Sequence, residues 1–268
     1  MLPDLGLLRV LDVAAAAPVP VHLERAGKEM TVPVALFTGP AQQPEPPWVR
    51  FALDQPHGLA LFTLDRCTVD ATYRKTLADF FAAVHEQGIA RIAVDLRANG
   101  GGNSQVVDEF LGYLDVDQYT SFGGKVRGSA AAAEQRGGAA AGIVEHAPGP
   151  RGNQRRTSTP FRGELLVAVG KHTFSSGNWF AVVVQDNKLG KVVGEPTGNS
   201  PSSFGDTLSF TLPHSALSYT LSYKQWVRPD PSRDPAPCLL PDVTVVKTRQ
   251  HVIDGVDPIL VHLRDAAH

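Results

Sequence analysis

A chain of 268 residues is long enough to bury a large core, as one domain or as one domain with a small appendage. Hydrophobic residues at 43% and charged residues at 19% describe a globular protein, and 21 prolines with 25 glycines predict many turns. Lysine and arginine number 25 against 27 acidic residues, a net charge of −2 that offers nothing to nucleic acid or an anionic membrane as a partner. Cys67 and Cys238 fit neither a disulfide framework nor a zinc site, which needs clustered ligands, and read as two buried free thiols, with a single bridge between them as the alternative. No metal site and no cofactor is expected.

The run from Met1 to Val21 is apolar, but Asp4, Arg9 and Asp12 interrupt it and no basic residue precedes it. It therefore fits neither a signal peptide nor a membrane span. The compartment stays open: cytoplasmic, or cell envelope or secreted if the chain is a fragment of an exported protein. Val19 to Arg25 and Met30 to Leu36 alternate apolar and polar residues around a glycine-bearing turn at Ala26 to Glu29, the signature of a β-hairpin. Two strands are not stable alone, so this hairpin packs on something or ends a small β domain. Gly39 to Pro47 reads as a Pro/Gln-rich linker. The expected organisation is thus a hairpin segment with its linker over 1–45 and a larger domain over 46–268.

Gly58 to Leu64 reads as a strand, and Val69 to Gln87 carries Tyr73, Leu77, Phe80, Phe81 and Val84 near helical spacing, closed by Gly88. Arg91 to Leu96 gives a buried strand and Val106 to Leu114 a helix. Strand, helix, strand and helix in that order predict an α/β protein with a sheet of parallel character. The stretch 123–162 breaks the pattern with an Ala/Gly-rich run and the basic group Arg151, Arg155 and Arg156. It reads as a flexible insertion, either a lid over a site or simple disorder. Leu165 to Gly170 is a further buried strand and Trp179 to Asp186 a helix. Lys191 to Glu195 follows, then a hairpin of Asp206 to Leu212 with Ala216 to Lys224, a strand at Asp242 to Val246, and a final helix starting near Asp254 or Asp257.

Two stretches carry chemistry. Thr173-Phe174-Ser175-Ser176-Gly177-Asn178 lies between a buried strand and a helix, so a serine is presented where free helix N–H groups and the helix dipole can stabilise an oxyanion. The same residue types are also common helix N-caps. Asp95-Leu96-Arg97-Ala98-Asn99-Gly100-Gly101-Gly102-Asn103 also joins a strand to a helix, and its three glycines let the backbone turn tightly and approach a ligand. A phosphate loop would need Lys-Ser/Thr after the glycines or the Rossmann spacing, and neither is present. An oxyanion hole is the other reading, with N–H groups from Gly101 or Gly102 and from Ser176.

Together these motifs resemble the C-terminal-processing (tail-specific) serine peptidases, the family that includes the tricorn protease core. Asp95-Leu96-Arg97-x-Asn99-x-Gly101-Gly102 is similar to its glycine loop, Thr173-Phe174-Ser175 to its nucleophile turn, Val193 to Gly198 to its Val-Gly-Glu-x-Thr segment, and Leu240 to Val243 to its Pro-Asp-Ile/Val strand. The resemblance spans roughly Gly58 to Leu263. It implies a crotonase/ClpP-like core of β-β-α units and an N-terminal hairpin that is the remnant of a PDZ-like domain. It further implies Ser175 as nucleophile and a polypeptide as substrate, cleaved near protein C-termini. The lysine that many members carry just beyond the Gly-Glu-x-Thr segment is replaced by Ser200.

Serine needs a neighbour to take its proton. Lys224, at the end of a predicted strand, is the candidate, provided that burial lowers its pKa. His172 adjoins the turn but points the wrong way if the strand alternation persists to it, His57, His85 and His214 have no supporting motif, and the tricorn-type histidine is not visible, since Leu64-Asp65-Arg66-Cys67 stands in its place. Three functions remain on the table: a serine endopeptidase; a catalytically silent module binding a peptide or apolar ligand on the same scaffold; and, least supported, an acyl-thioester enzyme of crotonase type. The oligomeric state is not legible.

Overall fold

The computed structural model describes residues 19–34 and 46–265. The chain divides into two compact units, Met1–Pro46 and Pro47–His268. In the first, β1 (Val19–Arg25) and β2 (Lys28–Val34) form an antiparallel hairpin in which Arg25 faces Lys28. The two loop residues, Ala26 and Gly27, have φ of 52° and 73°, the pair of positive values that a tight turn matched to strand twist requires.

The second unit is mixed α/β. Its main sheet uses β3 (Val49–Asp54), β4 (Leu59–Leu64), β5 (Arg91–Asp95), β10 (Glu164–Val169), β11 (Lys191–Gly194) and β14 (Val243–Thr244), in the order β14-β11-β10-β5-β4-β3. Only the β3–β4 pair is antiparallel. Buried parallel strands need apolar residues on both faces, and Ile92-Ala93-Val94 and Leu165 to Val169 supply them. Helix α1 (Ala71–Glu86) starts at Asp70, whose side chain accepts from the Tyr73 N–H at 2.8 Å, and buries Tyr73, Leu77, Phe80, Phe81 and Val84. Phe80 meets Phe62 of β4 at 5.1 Å between ring centroids, so the helix packs by aromatic interlock as well as by area. Each fully buried side chain of this size contributes about 1.5–3 kcal/mol. Helix α2 (Gln105–Leu111) follows the glycine-rich loop and packs against the same core through Phe110.

The stretch 123–162 carries β7 (Gly123–Arg127), α3 (Ala130–Arg136), β8 (Ile143–His146) and β9 (Gly149–Gly152). Strand β9 pairs with β6 (Gln118–Ser121), while β7 and β8 join β12 (Ser203–Thr211) and β13 (Ser218–Val227) in a second, antiparallel sheet of order β12-β13-β7-β8. Arg155 bonds Asp115 and Asp117, and Arg156 bonds Glu109, so both basic residues are tied to this domain's own carboxylates. Both cysteines are free; Cys67 is buried, whereas Cys238 is only partly so. Among the described residues no helix is long and apolar enough to cross a membrane, and no group of three or more His, Cys, Asp or Glu is placed to hold a metal.

The C-terminal end forms two helices where one was expected: α5 (Arg249–Ile253) and α6 (Pro258–Asp265), separated at Gly255, which has a φ of 67°. Asp257 caps α6 by accepting from the N–H groups of Ile259 and Leu260, and both its oxygens accept from Arg97 at 2.8 Å. Burial pushes the Asp257 carboxyl up, but Arg97 and the helix N–H groups outweigh it and hold the pKa below the ordinary 3.8. A depressed folded pKa gives stability that is present above the unfolded value and is lost as pH falls through the folded one. Asp257→Asn should therefore lower the thermal midpoint at neutral pH, and the gap to wild type should close below about pH 4. Calorimetry across pH 3–7 reads this; a gap that does not depend on pH would mean the charge is not what matters.

Candidate active site

Three neighbouring parallel strands end side by side. Asp95 of β5 faces Ala168 of β10, and Val169 faces Gly194 of β11, so the loops that follow leave the sheet at one place. In open parallel sheets the crevice beyond the carboxyl ends of the strands is where ligands bind. Here it receives the Asn99–Gly102 loop, the Thr173–Ser176 turn and the Thr197–Asn199 loop.

Asn99, completely buried, joins the first two. Its Nδ2 donates to the Leu64 carbonyl at 2.8 Å, its Oδ1 accepts from the Gly101 N–H at 2.9 Å and the Cys67 thiol at 3.3 Å, and its carbonyl accepts from the Phe174 N–H at 2.9 Å. Thr173, also buried, donates its hydroxyl to the Leu96 carbonyl at 2.8 Å and accepts from the Gly170 N–H. Ser176 donates from Oγ to the Gly102 carbonyl at 2.7 Å. Glycine is required at two positions of the loop: Gly101 has φ of 106° and Gly102 of 134°, and a Cβ on Gly101 would come within 2.6 Å of the Ser175 Cβ. Ser175 packs where that side chain would be.

Ser175 immediately precedes helix α4 (Ser176–Asp186) but does not cap it with its side chain. Its backbone sits at φ 50°, ψ −121°, a region that costs a non-glycine residue about 1–3 kcal/mol unless its surroundings impose it. The Asn99 bond to Phe174 and a bond from the Ser175 N–H to Asn199 Oδ1 at 2.9 Å do so. The Ser175 hydroxyl makes no hydrogen bond with the described residues. The N–H groups of Gly102 and Ser176 likewise have no partner among the described residues, whereas Gly101, named as an alternative donor, spends its N–H on Asn99. Burial pushes the thiol of the neighbouring Cys67 up to about 12, so it offers little of the reactive thiolate.

Gly102, Ser175, Ser176 and Lys224 line one cleft of about 550 Å3. What brings Lys224 there is a buried ion pair: Arg228, just past the end of β13, donates to Asp186 of α4 at 2.9 and 2.6 Å, with both side chains essentially inaccessible. This fastens the end of β13 onto the helix that Ser175 precedes. Trp226 then meets Trp179 of α4 edge-on at 5.1 Å, and Lys224 lies two residues further up the same strand.

The Lys224 ammonium donates to Asp206 at 2.6 Å and lies 5.4 Å from the Trp226 ring centroid. Burial pushes its pKa down, as the sequence reading required, but the hydrogen bond and charge of Asp206 outweigh it and the net shift is upward. Asp206, at φ 49° between Gly205 and Thr207 of β12, and Lys224 are the only ionisable side chains on the cleft wall among the described residues. Sequence reasoning missed Asp206, as no motif marks it. His172 is exposed outside the cleft, and Ser200 donates to the Pro237 carbonyl at 3.2 Å. Neither bonds to the Ser175 hydroxyl.

Asn99→Ala removes partners of the Gly101 N–H, the Leu64 carbonyl and the Cys67 thiol at a dry position. Each buried group left unmade costs about 1–3 kcal/mol, so denaturant unfolding should show a loss of several kcal/mol, beyond that of a surface Asn→Ala change such as Asn103→Ala.

The geometry has relatives. A family model described as peptidase family S41 matches residues 60–245. Among solved structures, a candidate peptidase from Parabacteroides merdae has TM-score 0.60 at 18% identity, covering 82% of this chain and 67% of that one. Mature CPAF complexed with lactacystin has TM-score 0.57 at 12% identity, covering 78% and 52%, and the photosystem II D1 C-terminal processing protease has 0.52 at 18%, covering 90% and 59%. These are likenesses of fold, and the chain spans between about half and two thirds of the length of these structures. No curated protein matches in sequence. With the family model covering most of the chain, including β5, β10, β11, both loops and Lys224, the chain belongs to peptidase family S41.

Proposed function

We propose that the chain is a serine endopeptidase that cleaves peptide bonds with Ser175 as nucleophile, near the C-termini of its substrates as the family resemblance implies. The observation that carries this is the strained, non-capping Ser175 turn placed against two N–H groups, of Gly102 and Ser176, that have no other partner among the described residues. The Ser175 Oγ attacks the carbonyl carbon, and the developing oxyanion accepts from Gly102 and Ser176. Losing one such donor costs about 3 kcal/mol of transition-state stabilisation. The hydroxyl proton passes to the neutral Lys224 amine, which then protonates the leaving amine as the C–N bond breaks, and water hydrolyses the acyl-enzyme by the same route. Lys224 must first give up its ion pair with Asp206, so Asp206 acts as a brake on the base.

An extended polypeptide is also favoured by the edge of β12. At Thr207 and Ser209 its outer backbone groups are already occupied by Arg136 and Gln135 of α3, while Ser203 to Gly205, in the cleft, have no such backbone partner among the described residues. On the same reading the core is crotonase/ClpP-like, the domain boundary lies near residues 45–46, and the β1–β2 hairpin is the remnant of a PDZ-like domain. A second reading, a silent module binding a peptide or apolar ligand, draws on the Asp206–Lys224 pair, which favours the protonated form of the candidate base Lys224.

A fluorophosphonate probe should label wild type and not Ser175→Ala; equal labelling of both would remove Ser175 from the mechanism, and a probe-inert wild type that still binds peptide would favour the silent module. Asp206→Asn tests the base. A neutral amine is needed, so labelling rises as pH passes through the Lys224 pKa, and losing the adjacent carboxylate should move that inflection down. An unmoved inflection would exclude Lys224 as the proton acceptor.

A further inference from the structure

Five aromatic residues border the Ser175 cleft: Phe122, Phe174, Trp179, Phe204 and Trp226. Three have structural partners. Phe122 and Trp179 stack with ring centroids 3.7 Å apart, Trp226 meets Trp179 edge-on, and Trp226 lies so close over β12 that a Cβ on Gly205 would come within 2.9 Å of its indole Nε1. They form a wall whose rings are held by one another and by the core. The other two have no comparable packing: Phe174, directly before the nucleophile position, is 48% exposed, and Phe204 is 70% exposed. Large apolar rings clustered in water around a cleft mark a binding surface.

The charges on the wall point the same way. Asp206 and Lys224 neutralise each other at 2.6 Å, so the cleft presents no net charge to a ligand. An acidic side chain would have to displace Asp206 from Lys224, and a basic one would have to displace Lys224 from Asp206. A large apolar side chain needs neither exchange and gains by burying its surface against the exposed rings.

We propose that this aromatic wall is a specificity subsite that takes one large apolar side chain of a polypeptide, of phenylalanine or leucine size, beside the bond offered to Ser175. The inference rests on the reading of the cleft as a peptide site, though not on turnover, because recognition by burial requires no proton transfer.

The test uses fluorescein-labelled decapeptides with identical Gly/Ser flanks and one central Phe, Ala, Asp or Lys, titrated against the full chain carrying Ser175→Ala and read by fluorescence anisotropy. The Phe peptide should bind about tenfold or more tighter than the Ala peptide, as the difference in buried apolar surface dictates, and the Asp and Lys peptides should bind no tighter than Ala. Trp226→Ala should bring the Phe:Ala ratio close to one. Since Trp226 also packs on Trp179, Phe204→Ala, at an exposed site where folding is not at stake, should lower the same ratio. Equal binding of Phe and Ala, tightest binding of Asp or Lys, or no binding of any peptide overturns the subsite. Fluorophosphonate labelling of wild type stands apart from all four peptides, so a failed subsite and a failed nucleophile give different results.

Discussion

One buried asparagine, through its side chain and its main chain, holds the cleft together. Asn99 reaches three separate pieces of chain: the end of β4 through the Leu64 carbonyl, its own glycine loop through the Gly101 N–H, and the Thr173–Ser176 turn through the Phe174 N–H. A neutral side chain with donors at one end and acceptors at the other makes the first two bonds without burying a charge, which aspartate in that place could not, and the main-chain carbonyl of Asn99 makes the third. Gly177 of α4 lies so close that a Cβ there would come within 2.8 Å of Asn99. The positive φ of Ser175 is tolerated because the turn is bonded on both sides, to Asn99 before it and to Asn199 through its own N–H.

Two ion pairs then act at different depths. Asp186–Arg228 is fully buried and further satisfied by the Asp230 N–H and Arg233, so it serves as a rivet between α4 and the end of β13. Breaking a pair of this kind strands a charge in a dry place, which costs about 3–5 kcal/mol and makes the position hard to vary. Asp206–Lys224 is partly exposed and faces the cleft, where a substrate can compete with either member. The rivet sets where Lys224 sits and the second pair sets its charge. Position and protonation of the candidate base are thereby controlled by different residues.

Much of this was legible because the signals are local. The five buried positions of α1 follow helical spacing, and β5 and β10 are short apolar runs that only a doubly covered strand explains. Strand β3 escaped: it pairs antiparallel at the sheet edge with a mixture of half-buried residues, so Val49 to Asp54 shows neither strict alternation nor a continuous apolar run. Over 123–162 the Ala/Gly-rich composition gives no period to read. Its strands are fixed by partners far away in sequence, β7 pairing with β13 across about a hundred residues. Asp206 escaped for the same reason, being defined by its contact with Lys224 on the facing strand and by nothing in its own neighbourhood.

By itself the sequence determined the α/β class, the two loops that meet at the cleft and the family to which the chain belongs, since each is written in contiguous residues whose backbone demands are local: glycines at positive φ, a serine between strand and helix, apolar runs of strand length. Tertiary structure alone decided which glycine N–H remains free, which residues line the cleft and what charge Lys224 carries. Those depend on hydrogen bonds and Coulomb interactions between segments distant in sequence. Such energies are set by distances of a few ångströms that only the folded chain defines.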